Sequence, residues 1–189
     1  MKKLKNPPDL PPWTLLGKRE LLRRPPWMIL EEHHLRLPNG TEIPDWLWVD
    51  TPEFINVVAR TTEGDYLCFH QTKYAVEGAV LGIVGGYLEP GEDPTEAAAR
   101  ELREETGHAA GNWRSLGCFA IDGNRGCGKG HLFLATGCRF AGEVFSDDLE
   151  EQHLVRLTPG EMRAALFAGR FGVMPWTAAV ALALLAEEG

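Results

Sequence analysis

Residues Gly86–Gly107 read GYLEPGEDPTEAAARELREETG, and this stretch carries the local signals that decide the fold. Its first half is rich in turn residues, whereas its second half has the features of a helix with two defined ends. Asp93 is a suitable N-cap, Pro94 fits the first helical position, and Gly107 is a suitable C-terminal stop. The stretch therefore predicts a loop followed by a helix that ends at residue 106.

The acidic residues of this helix share one face. Glu101, Glu104 and Glu105 are spaced i, i+3 and i+4, so their side chains project in the same direction. Three neighbouring carboxylates repel one another, and a hard divalent cation with oxygen ligands would convert that repulsion into binding. The alternative is a solvated acidic face, which Arg100 would partly neutralise. Another face of the helix is apolar and is expected to pack inward through Ala98, Ala99 and Leu102.

The spacing of the whole stretch favours the metal site. Five residues separate Gly86 from Glu92, and seven more lead to the sequence RELxEExG over residues 100–107. This pattern resembles the Nudix box, the signature of the Nudix hydrolase family. The resemblance implies an α/β fold, a Nudix-type α/β/α sandwich with a mixed β-sheet.

The resemblance also assigns roles to the acidic face. Glu101, Glu104 and Glu105 match the carboxylates that bind Mg²⁺ or Mn²⁺ in the family, and one of them is expected to orient or deprotonate the attacking water. A backbone carbonyl at Gly85 or Gly86 is expected to complete the metal site. A bound metal ion neutralises phosphate charge and lowers the pKa of water, so that hydroxide attacks a pyrophosphate phosphorus.

Four positions of the box are expected to be structural. Glu92 and Arg100 are predicted to form an ion pair that joins the loop to the helix, while Gly86 and Gly107 serve the backbone.

Bulk composition restricts the partners. The formal charge of the 189 residues is -8, which argues against a broad nucleic-acid-binding surface. The four cysteines form no CxxC pair, so reduced thiols in a cytoplasmic protein are expected. No apolar segment follows the basic residues 1–5, and the longest apolar run, residues 178–186, is too short to span a bilayer. We expect neither a membrane nor a nucleic acid as partner.

The order of predicted elements gives a two-part chain. Residues 1–51 are expected to form an N-terminal extension, with strands at 27–37 and 42–49 on either side of an Asn-Gly turn. Residues 52–189 are expected to form the Nudix domain. Its predicted strands are 54–60, 66–71, 79–84, 113–121, 131–137 and 150–157, and its predicted helices after the box are 161–168 and 176–188.

Residues 123–130 read GNRGCGKG and were examined as a phosphate-binding loop. The Gly-x4-Gly-Lys spacing approaches a Walker A motif, but Gly130 replaces the Ser or Thr that magnesium requires, and the next residues read as a strand. We therefore reject an ATPase. Arg125 and Lys129 are candidate contacts for a substrate phosphate, and a solvated glycine-rich loop is the alternative.

An acidic run at residues 147–151 supplies candidates for a catalytic base. In Nudix enzymes of the ADP-ribose type a glutamate in this region acts as base or extra metal ligand, and Glu150 or Glu151 could take this role. A surface acidic run is the alternative.

The N-terminal segment indicates the substrate. Trp27 and Trp46, followed by Lys73 after Gln71-Thr72, resemble the lead-in of nucleoside-diphosphate-sugar pyrophosphatases. There, aromatic residues stack on the base, often across a homodimer, and a cation at the position of Lys73 meets phosphate. The predicted function is metal-dependent hydrolysis of the pyrophosphate bond in a nucleoside diphosphate derivative, either ADP-ribose or another sugar nucleotide.

Three alternatives remain open at this point. One is a catalytically silent Nudix-fold nucleotide sensor, and another is a hydrolase of dinucleoside polyphosphates, nucleoside triphosphates or coenzyme A. An isoprenyl diphosphate isomerase on the same fold would need a positioned catalytic cysteine.

Overall fold

A computed structural model describes residues 9–142, 144 and 151–188, which form two compact units. The first unit contains the chain up to Thr51 together with Asp122–Cys127, and the second contains Pro52–Ile121 and the chain from Gly128 onward. Residues 122–127, which the sequence placed in the second domain, thus belong to the first unit.

The first unit is a small antiparallel sheet. Strand β1 (Thr14–Arg24) pairs with β2 (Met28–Arg36), and β2 pairs with β3 (Glu42–Asp50). Strands β2 and β3 confirm the two predicted strands. Strand β1 was not predicted, because its leucines occur as adjacent pairs and every residue of the strand is exposed, so no alternation of apolar and polar residues marks it.

The second unit is built on a mixed β-sheet. Strand β4 pairs in parallel with β10 and antiparallel with β5 and β7, while β5 also pairs antiparallel with β6 and β11. Two further strands, β8 and β9, pair with β10. The bounds are β4 (Phe54–Thr61), β5 (Tyr66–Thr72), β6 (Ala79–Gly82), β7 (Val84–Tyr87), β8 (His108–Ala109), β9 (Asn112–Asp122), β10 (Gly126–Phe140) and β11 (Gln152–Leu157).

Three helices cover this sheet: α1 (Pro94–Thr106), α2 (Pro159–Phe167) and α3 (Met174–Glu188). Side chains alternate along β4, so that Ile55 and Val57 pack with α1 whereas Val58 packs with α3. Helices therefore lie on both faces of the sheet, and the predicted α/β/α sandwich is confirmed.

Two local predictions were wrong. The helix residue that packs inward beside Ala98 and Leu102 is Ala97, whereas Ala99 is exposed. Residues 126–130, expected as part of a glycine-rich loop, form the start of β10. Glycine at position 130 reflects close packing, since a Cβ atom there would lie 2.9 Å from the Phe54 ring. No helix in the described ranges is long and apolar enough to cross a membrane.

Candidate active site

Helix α1 begins and ends at the residues that the sequence marks. The Asp93 carboxylate accepts hydrogen bonds from the amides of Thr95 (2.8 Å) and Glu96 (3.4 Å), which would otherwise lack partners at a helix start. At the other end Gly107 adopts φ 69°, a left-handed conformation that glycine accepts without strain, and its amide bonds to the Arg103 carbonyl. Both ends of the helix that carries the acidic face are thus fixed.

Arg100 is the centre of the ion-pair network. Its Nε and Nη2 donate to the two carboxylate oxygens of Glu92, at 2.9 and 3.0 Å, which confirms the predicted ion pair. The same guanidinium donates from Nη1 to Glu101 (2.8 Å) and to Glu104 (3.1 Å). The Arg100 guanidinium lowers the pKa of Glu92, and the Glu92 carboxylate raises that of Arg100. The loop, helix and acidic face are held together by one cation.

The acidic face lies against β7. A Cβ atom at Gly86 would lie 2.0 Å from Glu101 Oε1, so the Glu101 carboxylate occupies the space that any other side chain would fill. Glu105 Oε2 accepts a hydrogen bond of 3.4 Å from the amide of Gly85. The third acid, Glu104, has a side chain that is 43% exposed and extends toward solvent.

The donor chemistry of this face fits a hard cation. Carboxylate oxygens from Glu101, Glu104 and Glu105 are the ligand type that Mg²⁺ and Mn²⁺ take. In the part of the chain that the structure describes, no three acidic, histidine or cysteine side chains converge into a closed metal-binding group. Instead, Arg100 neutralises two of the three acids. These three glutamates could hold a metal ion once Arg100 yields its contacts to Glu101 and Glu104.

Sequence comparison identifies the fold and the box together. Residues 50–177 match the family model described as the NUDIX domain. The chain belongs to the NUDIX family. The matched region includes β7, the following loop and all of α1.

Two curated relatives of this NUDIX protein come from Bacillus. The "Methanol dehydrogenase activator" of Bacillus methanolicus is 33% identical over 108 residues, which are 57% of this chain and 58% of the relative. The "ADP-ribose pyrophosphatase" of Bacillus subtilis (strain 168) is 34% identical over 101 residues, 53% of this chain and 54% of the relative. The aligned region thus spans little more than half the length of either relative.

A solved structure shares the fold of the NUDIX chain. It is titled "Crystal structure of ADP compounds hydrolase", and it superposes with a TM-score of 0.79 over 96% of this chain and 98% of its own. The sequence identity is 22%, so this likeness shows the fold alone.

The predicted base candidates lie mostly outside the description. Glu150, together with Asp147 and Asp148, lies outside the described residues. Glu151 is described; its side chain is 85% exposed and lies 3.2 Å from the imidazole of His153.

The predicted phosphate contacts of the second unit have other partners in this NUDIX structure. Lys73 lies with Nζ 5.9 Å from the centre of the Trp176 ring. Lys129 Nζ lies 3.3 Å from Glu53 Oε1, while Glu53 Oε2 lies 2.7 Å from His131 Nε2. The contact with His131, supported by Lys129, lowers the pKa of Glu53. Sequence reasoning missed Glu53 and His131, because residues 78 apart are brought together only by the pairing of β4 with β10.

The first unit contains an aromatic cavity of about 310 Å³. Trp46 lines it and donates a 2.6 Å hydrogen bond from Nε1 to the Asn124 carbonyl, and the Arg125 guanidinium lies 5.0 Å from the centre of the Trp46 ring. Trp27, the other predicted stacking residue, is 67% exposed and does not line this cavity. The lining residues are Trp13, His33, Leu35, Trp46, Trp48, Gly123 and Asn124.

Several of these cavity residues were not predicted. Trp13 packs edge-on against Trp46 at 5.5 Å, and His33 stacks on Trp48 at the same centroid distance. The signal available in the sequence was the i, i+2 spacing of Trp46 and Trp48, which places both on one face of a strand.

Proposed function

We propose that this NUDIX protein is a metal-dependent hydrolase of the pyrophosphate bond in a nucleoside diphosphate joined to another group, ADP-ribose or another sugar nucleotide. The observation that carries the proposal is the placement of the Glu101 and Glu105 carboxylates against the Gly85–Gly86 backbone. This arrangement puts oxygen ligands on a rigid helix beside a backbone strand without side chains. A substrate phosphate can therefore approach the acids closely.

Glu101, Glu104 and Glu105 would hold Mg²⁺ or Mn²⁺, with a backbone carbonyl of Gly86 as a further ligand. When bound, the ion supplies charge neutralisation for the diphosphate and a lowered pKa for water. Glu101 is already held at β7, and Glu104 is the most solvent-accessible of the three and the one best able to contact water. Glu105 contacts the Gly85 amide, which fixes its carboxylate and makes it a candidate for orienting the nucleophile. Glu150 and Glu151 remain candidates for a base from the acidic run.

The substrate class is supported by three observations of different kinds. One curated relative carries the name ADP-ribose pyrophosphatase, and the structural relative is titled as a hydrolase of ADP compounds. The aromatic cavity offers Trp46 and a stacked cation at Arg125, a combination that suits a planar nucleobase. Lys73, Lys129 and Trp27 stay candidate substrate contacts. We further propose a cytoplasmic homodimer, as in related sugar-nucleotide pyrophosphatases.

The test is a charge-neutral substitution in α1. Glu105→Gln removes one negative charge and preserves side-chain length, so turnover should fall by about 100-fold or more while the fold is retained. Glu96→Gln is the matched control, because Glu96 is an exposed acid in the first turn of the same helix. Circular dichroism and thermal unfolding would verify that both variants are folded.

The assay is a substrate panel with Mg²⁺ and with Mn²⁺, read as phosphate released after coupling to a phosphatase. It contains ADP-ribose, other sugar nucleotides, dinucleoside polyphosphates, coenzyme A, NADH and nucleoside triphosphates. We expect the highest kcat/KM with a sugar nucleotide. Undiminished turnover in Glu105→Gln would contradict the assigned role, and no turnover of any compound by the wild-type protein would favour a nucleotide-binding sensor.

A further inference from the structure

Asn56 is a buried amide without a complete set of partners. It lies in β4, is 4% exposed, and its Oδ1 atom accepts no hydrogen bond from the described residues. An unpaired polar atom at such burial costs about 1–3 kcal/mol, so its retention calls for a physical reason. The only other such atom in the described ranges is Thr61 Oγ1. Thr61 contributes to lowering the pKa of Glu63, so its hydroxyl has a neighbouring carboxylate.

The amide of Asn56 packs on the strand that adjoins the acidic face. Asn56 and Gly85 are paired between β4 and β7, and a Cβ atom at Gly85 would lie 2.2 Å from Asn56 Nδ2. The backbone amide of the same glycine donates to Glu105. Gly85 therefore separates the Asn56 side chain from a proposed metal-binding carboxylate by the width of one backbone strand.

The side chain of Asn56 points toward the α3 face of the sheet. Side chains alternate along a strand, and Val58, two residues on, packs with α3, whereas Ile55 and Val57 pack with α1. In the parallel pairing of β10 with β4, Leu132 is the partner of Asn56 and also packs on the α3 side. The unpaired Oδ1 thus lies on a face that α1 does not cover.

A small apolar cavity of about 130 Å³ opens on the same face beside Leu132. Its wall includes Phe119, Ile121, Leu132, Met174 and Ala178, and none of its lining residues is charged. Such a cavity is unfavourable for a phosphate or a second charged group, but it suits a neutral ring. The nearby unpaired acceptor would supply the polar contact that fixes the orientation of such a ring.

We propose that Asn56 and this cavity form the subsite for the neutral, hydroxyl-bearing group attached to the diphosphate, with Asn56 Oδ1 accepting a hydrogen bond from one of its hydroxyls. The proposal rests on the proposed function. It assigns Asn56 as a specificity-determining residue, since a buried acceptor favours ligands that bring a donor and disfavours ligands that leave it unpaired.

The test compares two non-hydrolysable probes by calorimetry in the presence of Mg²⁺: α,β-methylene ADP-ribose, which has the second sugar, and α,β-methylene ADP, which lacks it. Asn56→Leu should weaken binding of the first about five- to tenfold, because one neutral hydrogen bond is lost, and should change binding of the second less than twofold. Asn56→Ala should give the same difference if leucine does not fit the site. Thr61→Val, which removes the other unpaired buried atom on the same strand, should leave both affinities unchanged.

A second measurement needs no ligand. Because Asn56 Oδ1 makes no bond to the described protein, Asn56→Leu should not lower the Tm of the free protein. A Tm that falls by several degrees would show that the amide is already satisfied in the folded chain, and would overturn the proposal. Equal loss of affinity for both probes would also overturn it.

The outcomes separate this subsite from the proposed function. A wild-type protein that hydrolyses nothing in the panel but binds α,β-methylene ADP-ribose more tightly than α,β-methylene ADP would remove the hydrolase and leave the subsite. Turnover of ADP-ribose with the same affinity for the two probes would support the hydrolase and remove the subsite. A protein that binds neither probe would remove the subsite as well.

Discussion

The Glu101 carboxylate occupies the position that a side chain of residue 86 would take, with Oε1 2.0 Å from where the Cβ atom would be. The glycine that opens the box is therefore required by the acid that follows it fifteen residues later. A strand residue without a side chain lets a carboxylate reach the backbone, where it can be held at a fixed depth.

Substitution Gly86→Ala should abolish this arrangement. The added methyl group must displace the Glu101 carboxylate, and a misplacement of about 1 Å at a reacting centre costs about 100-fold in rate. We expect kcat/KM to fall by about that factor with a folded protein. Gly160→Ala is the control, since nothing lies within 4 Å of a Cβ atom there, and equal activity of the two variants would contradict the assignment.

Metal removal should be visible as a change in stability. A ligand that binds only the folded state at 100 times its Kd adds about 2.7 kcal/mol to the free energy of unfolding. For a chain of this size that corresponds to a rise in Tm of about 5–10 °C. We expect this rise when Mg²⁺ or Mn²⁺ is added to chelator-treated wild-type protein. In the combined variant Glu101→Gln, Glu104→Gln and Glu105→Gln it should disappear, and an identical rise there would place the ion elsewhere.

The pair of Glu92 and Arg100 predicts a pH dependence. The bond to Arg100 lowers the pKa of Glu92 below its ordinary value of 4.5. A lowered pKa in the folded state gives stability that is present above the unfolded-state value and lost as pH falls through the folded-state value. Wild-type protein should therefore unfold at a higher Tm than Glu92→Gln at pH 7, and the difference should close well below pH 4.5. A difference that grows on acidification would contradict the pair.

The aromatic cavity predicts which tryptophan matters for a nucleobase. Trp46→Leu should weaken AMP binding about tenfold or more, because a base stacked on an aromatic ring is worth about 1–3 kcal/mol. Trp27→Leu should have a smaller effect, since Trp27 does not line the cavity and is mostly exposed. Fluorescence or calorimetric titration would measure both. Equal effects of the two substitutions would show that the cavity alone does not define the base site.

Local signals in the sequence were sufficient for α1 and its ends, because caps, helix period and turn residues act within a few positions. Asp93, Gly107 and the pair of Glu92 and Arg100 could all be predicted for this reason. Strand β1 and the start of β10 could not, since exposed leucine pairs and clustered glycines carry no strand period.

Contacts between distant parts of the chain were equally invisible in the sequence. The contact of Glu53 with His131 depends on the register of β10 beside β4. The orphaned amide of Asn56 depends on its pairing with Gly85. Neither follows from spacing along the chain.

Arg100 also affects when a cation is needed. With its guanidinium bonded to Glu101 and Glu104, the acidic face is partly neutralised before any ion arrives. Folding of α1 is then independent of metal supply, unlike that of small domains whose folding energy comes from the ion itself. The same molecule could exchange one divalent ion for another between turnovers without unfolding, so that its working metal would follow the ionic composition of its surroundings.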